Sequence, residues 1–113
     1  MESNLEFYRK IGSHLMQCAD DFKIKIKVEE HNIAMKKLLK KLRELQNDSS
    51  IDRSFLLVLL NDNNIALRSA VANHCLELDV YRKQAIKTLK ELSKCSNKYI
   101  AFNASCVLDK WRV

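Results

Sequence analysis

The chain of 113 residues has no proline and a single glycine, Gly12. Phosphate-cradling loops, dinucleotide-binding turns and nucleophile elbows need glycine where the backbone takes positive φ or closely approaches a ligand. One glycine cannot build any of them. Hairpins and β-sandwiches need Asn-Gly, Asp-Gly or proline turns about every 8–12 residues, whereas turns here must come from Asn, Asp and Ser. Long apolar runs are also lacking. The longest, Phe55 to Leu60, has six residues, far short of the ~18 that a membrane span requires. Residues 1–20 carry Glu2, Glu6, Arg9, Lys10 and Asp20 and no apolar secretory core. The expectation is a cytoplasmic monomer with no membrane association. Cys18, Cys75, Cys95 and Cys106 follow no CxxC spacing, which predicts free thiols buried as small apolar side chains. One domain of this length buries roughly 65% of its unfolded surface, so neither disulfide nor metal is needed for folding.

What remains is helical periodicity. Ser3 and Glu6 have capping-box spacing, and Leu5, Tyr8, Ile11, Leu15, Cys18 and Phe22 recur at steps of three or four, predicting a helix from Asn4 to about Ala19. Gly12 inside it costs about 1 kcal/mol relative to alanine, which a close helix contact would explain. Residues 20–28 alternate like a strand, but Ile24, Val28, His31, Met35, Leu38, Leu42 and Leu45 continue one helical seam. This favours a second helix over about 22–46, capped by Asp20 or Asp21 and open to a break near 29–32. After the loop 46–50, with Ser50 as a cap, four more helices are predicted over about 51–60, 65–78, 80–94 and 98–112. Their caps are expected from the Asn61–Asn64 turn, from Asp79 and from Ser96 or Asn97.

An offset of 32 aligns Leu57 with Leu89, Leu60 with Leu92, Leu67 with Tyr99, Ala72 with Ala104 and Leu76 with Leu108, the pattern of two stacked helical pairs. The run Leu56 to Arg68, followed by Ala72, His74 and Leu76, resembles a HEAT-like repeat: a leucine-rich inner helix, an Asp/Asn turn and an aliphatic-Arg opening of the next helix. Its continuation through Ala85, Leu89, Leu92, Ala104, Leu108 and Trp111 is similar to small stand-alone bacterial HEAT-like proteins of a domain-of-unknown-function family. The resemblance covers about half the chain, and residues 1–50 are longer and more basic than that pattern. It implies an all-α fold, a short HEAT-like α-α superhelix of about six antiparallel helices. Residues 1–46 would form an N-terminal pair, and 51–78 and 80–112 two HEAT-like pairs. It implies a structural bond from Arg68 to the preceding turn, with Asp62 as the candidate acceptor, and no catalytic residues. It also implies a protein-binding role like that of toxin immunity proteins.

Charge is segregated: residues 23–43 sum to +6 and 79–113 to +5, against −2 for 1–22 and −3 for 44–78. Lys36, Lys37, Lys40 and Lys41 lie off the apolar seam of the second helix, and Lys83, Lys87, Lys90 and Lys94 form a row on the fifth. Such rows are either solvated helix faces or electropositive surfaces for an acidic protein or for phosphates. Tyr99, Phe102 and Trp111 are expected on the buried side, which leaves no stacking platform for bases. His14 and Cys18 stand at i,i+4 but lack two further zinc ligands. Adjacent His74 and Cys75 diverge by ~100° around their helix, so His74 cannot be the base of a Cys75 nucleophile. His31 and His74 are expected as hydrogen-bonded core or interface residues. These features favour a non-enzymatic module without cofactors or metal, an immunity protein binding a cognate bacterial toxin, over a nucleic-acid-binding adaptor using the lysine rows.

Overall fold

The computed structural model describes residues 3–20 and 25–112, with side chains at 3–17 and 29–112. Among these the chain is all-α. Its helices are α1 (Asn4–Asp20), α2 (Lys25–Asn47), α3 (Ser54–Leu59), α4 (Ile65–Leu78), α5 (Arg82–Leu92) and α6 (Lys98–Lys110). The expected capping bond is present, with the Glu6 N–H donating to Ser3 Oγ at 3.1 Å. From Lys25 onward α2 is unbroken. The cap proposed at Asp20 or Asp21, and the seam positions Cys18, Phe22, Ile24 and Val28, lie outside the described side chains.

Three local expectations are corrected. First, α3 is six residues long and starts at Ser54. Ser50 does not cap it: its N–H turns back to Asp48 Oδ1, and Asp52 Oδ1 accepts from the Ser54 N–H at 2.9 Å. Second, Asp79 does not cap the start of α5. It ends α4 in the left-handed region at φ 56°, and the Val80 N–H returns to the Cys75 carbonyl at 2.9 Å, a Schellman-type closure. With glycine almost absent, Asp79 and then Tyr81 at φ 49° take positions that glycine usually fills. Third, Arg68 bonds the preceding turn as expected, but through the Leu60 carbonyl at 3.0 Å. Asp62 instead pairs with Arg9 of α1 at 3.2 Å.

The internal repeat has a different register. Asn64 and Asn97 are equivalent caps, each near φ −78° and accepting from the N–H three residues on, so α4 and α6 start 33 residues apart. That offset pairs Leu56 with Leu89, Leu59 with Leu92, Leu67 with Ile100, Val71 with Ala104 and Cys75 with Leu108, every one of them buried. The leucine run 56–60 tolerates a slip of one residue in sequence; the cap does not.

α4 is the centre of the packing and touches each of the other five helices. Its buried residues point in several directions, among them Ala66, Leu67, Ser69, Val71, Ala72 and Cys75, as a helix enclosed by neighbours requires. α1 crosses it at Gly12, where an added Cβ would lie 2.9 Å from Leu67 Cβ and 3.1 Å from Leu67 Cδ2. The close contact that would justify the lone glycine is therefore real. Gly12 beside Leu67 and Tyr8 beside His74 make α1 antiparallel to α4. Lys41 beside Asn4, with Ile11 and His14 flanking Ala34 and Glu30, makes α1 antiparallel to α2. α2 and α4 therefore run parallel.

Candidate functional site

The eight candidate lysines do not behave alike. Lys36, Lys37 and Lys40 on α2, Lys83, Lys87 and Lys90 on α5, and Lys94 in the turn that follows α5 are exposed and form no ion pair with a described residue. Lys41 is different. It donates to Asn4 Oδ1 at 3.2 Å, pairs with Glu44 at 3.2 Å and lies 4.8 Å above the Phe7 ring. Its hydrocarbon and charge join α1 to α2, so it is removed from the set available to a partner. The two rows are also not one platform. Arg68, bonded to Glu91 of α5 at 3.3 Å, lies on α4 roughly 160–200° around from Ala66 and Ala70, which line a cleft beside α2. The rows stand on opposite sides of α4.

The cleft is what sequence reasoning missed. It has a volume of ≈ 90 Å³ and lies between α2 and α6, with Met35 and Leu38 on one wall, Asn103 and Val107 on the other, and Ala66, Ala70 and Asn73 of α4 as its floor. Small residues at 66, 69 and 70 create it, because no large side chain from α4 fills the space between the walls. At one end His31 and Tyr99 meet across the opening, with Tyr99 Oη 3.1 Å from His31 Nε2. Toward the C-terminal ends of α4 and α6, Lys110 pairs with Glu77. Ser69 Oγ and Asn73 Oδ1 are buried at the floor and make no hydrogen bond with a described residue. Leaving such groups unbonded costs about 1–3 kcal/mol each.

Exposed apolar side chains flank this opening. Met35, expected in the α2 seam, is 44% exposed and Leu39 46% exposed; Ile33, 55% exposed, stands ~160° around α2 from Met35 and lines a separate hollow with Ile11 and His14 of α1. The seam instead turns through Ala34, Leu38, Leu42 and Leu45, all buried. Phe102, expected inside, is 71% exposed on α6; Ile100, Ala104 and Leu108 take the core positions. A stretch as apolar as 99–108 offers more than one possible inner face, and the packing of α6 on α4 and α5 selects among them. The stripe Ala66, Ala70, Asn73, Glu77 was the readable signal, since small and polar residues at steps of three or four interrupt an otherwise apolar helix.

The histidines are structural. Tyr8, fully buried, is 2.7 Å from His74 Nδ1, and His31 bonds Tyr99 as above; both were expected to be hydrogen-bonded. Burial lowers the His74 pKa to about 4, with Glu77 working against the shift, and burial also lowers that of His31. Burial pushes the Cys75 thiol up to about 12. A fully buried Cys75 that holds its proton at neutral pH has neither the thiolate nor the access a nucleophile needs. The other described cysteines correct a second expectation: Cys95 is half-buried and Cys106 exposed, both as free thiols. His14 is exposed; Cys18, its i,i+4 neighbour, lies outside the described side chains. Among the described residues no three His, Cys, Asp or Glu side chains converge to hold a metal ion, and no helix is long and apolar enough to cross a membrane.

Compared with protein-family models, curated proteins and solved structures, the chain gives no match.

Proposed function

We propose that the chain is a non-catalytic protein-binding module that works through the outer side of α2, and that it serves as an immunity protein neutralising a cognate bacterial toxin by direct binding. One observation carries the binding role. Met35 and Leu39, ~40° apart around α2, are exposed on the same helix as Lys36, Lys37 and Lys40, which form no ion pair with a described residue. Exposed apolar side chains that cluster within a charged rim are the composition of an interface, where apolar anchors supply affinity and the rim supplies steering. The toxin partner rests on the resemblance of residues 56–111 to HEAT-like bacterial proteins.

The test is co-expression with the product of the adjacent gene. A stable complex and rescue of growth are expected. Neither complex nor rescue would remove the toxin reading.

A second reading is favoured by α5. Lys83, Lys87, Lys90 and Lys94 form an unpaired basic row, which suits phosphates. Binding to duplex DNA and to RNA at about 50 and 200 mM salt decides it, because phosphate contacts give a steep salt slope. The protein-binding reading expects binding that is absent at both salt concentrations or flat between them.

A further inference from the structure

We infer that the α2–α6 cleft receives an apolar side chain of an acidic amphipathic helix belonging to a partner protein, laid along the opening between Met35 and Leu39 on one side and Phe102 on the other. This rests on the protein-binding reading above and specifies its partner chemistry. Three independent observations converge. The ≈ 90 Å³ of the cleft is smaller than the ~150 Å³ that holds a benzene ring and is suited to one branched aliphatic side chain. Around α2, at ~100° per residue, Leu39 stands between Met35, which lines the cleft, and the outward Arg43 and Lys36. Across the opening the exposed Phe102 stands ~60° around α6 from Tyr99, which meets His31 at the end of the cleft, while Lys36 and Arg43 on the α2 side are exposed and form no ion pair with a described residue.

An apolar trough edged by free cations along its α2 wall matches a helix with a leucine stripe flanked by carboxylates. The acidic groups near the trough are Glu77, neutralised by Lys110, and Asp109 at the far end of α6. At the floor, Ser69 Oγ and Asn73 Oδ1 are without partners, and a small rotation of either side chain would present it to a polar group beside the inserted anchor. Phosphate chemistry lacks this match, since it has no use for Met35, Leu39 and the cleft.

The experiment uses the full chain and three fluorescein-labelled helical peptides of about eighteen residues: one with a leucine stripe and glutamates elsewhere, one with the same stripe and lysines elsewhere, and one with the glutamates but serines for leucines. Binding is followed by anisotropy, and the site by amide chemical shifts. The first peptide is expected to bind at least about tenfold more tightly than either control, with shifts at Met35, Leu39, Asn73 and Phe102. Leu39→Glu, at an exposed position, and Ala70→Leu, which fills the cleft from its floor, should each weaken it about tenfold or more. Cooperative thermal unfolding of both variants shows that they remain folded.

Equal binding of the first and third peptides, or of the first and second, overturns the inference. So does a shift map centred on α5, or indifference to Leu39→Glu. Vesicles containing about 30% phosphatidylserine are the membrane control; binding to them that requires Leu39 while the first peptide stays unbound also overturns it. The two readings separate cleanly. A toxin complex unaffected by Leu39→Glu removes the cleft inference alone, whereas peptide binding in the cleft without toxin rescue removes the toxin reading alone.

Discussion

α2 and α5 carry similar densities of lysine, yet they handle apolar residues in opposite ways. On α5 the binary pattern is clean: Ala85, Thr88, Leu89 and Leu92 are buried, Ile86 is half-buried, and the three lysines are exposed. α2 breaks the same rule, with Ile33, Met35 and Leu39 exposed among its lysines. A helix that leaves none of its large apolar side chains exposed needs lysine only for solubility. One that leaves three of them in water is incurring a cost that a partner can offset, at about 25 cal/mol per Å² of apolar surface covered. Lysine count alone therefore does not separate the two helices; the exposed apolar neighbours do.

The sharpest way to break this comparison sets Leu89 on α5 against Leu39 on α2. Leu89→Ala should destabilise the chain by about 2–5 kcal/mol in chemical denaturation, and Leu39→Ala by no more than about 0.5 kcal/mol. A large loss at Leu39 would show that α2's outer side is already covered.

The α2 side of α4 also carries the titrating histidine. The folded His74 pKa of about 4 lies below the ordinary 6.5, so between these values the unfolded chain binds a proton that the folded chain refuses. Stability is fully present above about pH 6.5 and is lost as pH falls toward 4, by roughly 3 kcal/mol in total. Denaturant midpoints from pH 7 to 4 measure this, and a His74→Gln variant should show a flatter profile.

Gly12→Ala comes next. The gain in helix propensity is about 1 kcal/mol, against about 1–3 kcal/mol for forcing a Cβ onto Leu67 Cβ, an atom fixed to the backbone of α4. A net loss of about 0–2 kcal/mol is expected, with amide shifts in α1, α2 and α4 and little change in α5.

The smallest effect belongs to the α5 charges. Reversing Lys83, Lys87 and Lys90 to Glu should leave the chain folded and slow partner association only a few-fold, an effect erased by about 0.5 M salt. A change in dissociation rate instead would place α5 in the interface.

Much of the fold was legible. Periodicity located all the described helices, Ser3, Asn64 and Asn97 were readable as caps, and Gly12 was readable as a close contact. Boundaries failed where the residues alone permit alternatives. Ser50 and Asp52 are both competent caps, and Asp79 can serve the end of one helix as well as the start of the next. The leucine run 56–60 allowed a repeat offset of 32 where the caps set 33. Of the candidate surface, the lysines were visible, but Lys41 looked free because its partners Asn4 and Phe7 are distant in sequence. Met35 looked buried because it lies beside the apolar stripe of α2, and Phe102 because residues 99–108 offer more than one apolar face.

The sequence by itself determined the helical class, the order of the helices and the absence of glycine-built loops, because these depend on interactions within a few residues along the chain. Only the tertiary structure decided which apolar residues stay in water. That choice depends on how α1, α5 and α6 pack around α4, and on the space that Ala66 and Ala70 leave unfilled. Burial is a property of neighbours that no local spacing encodes.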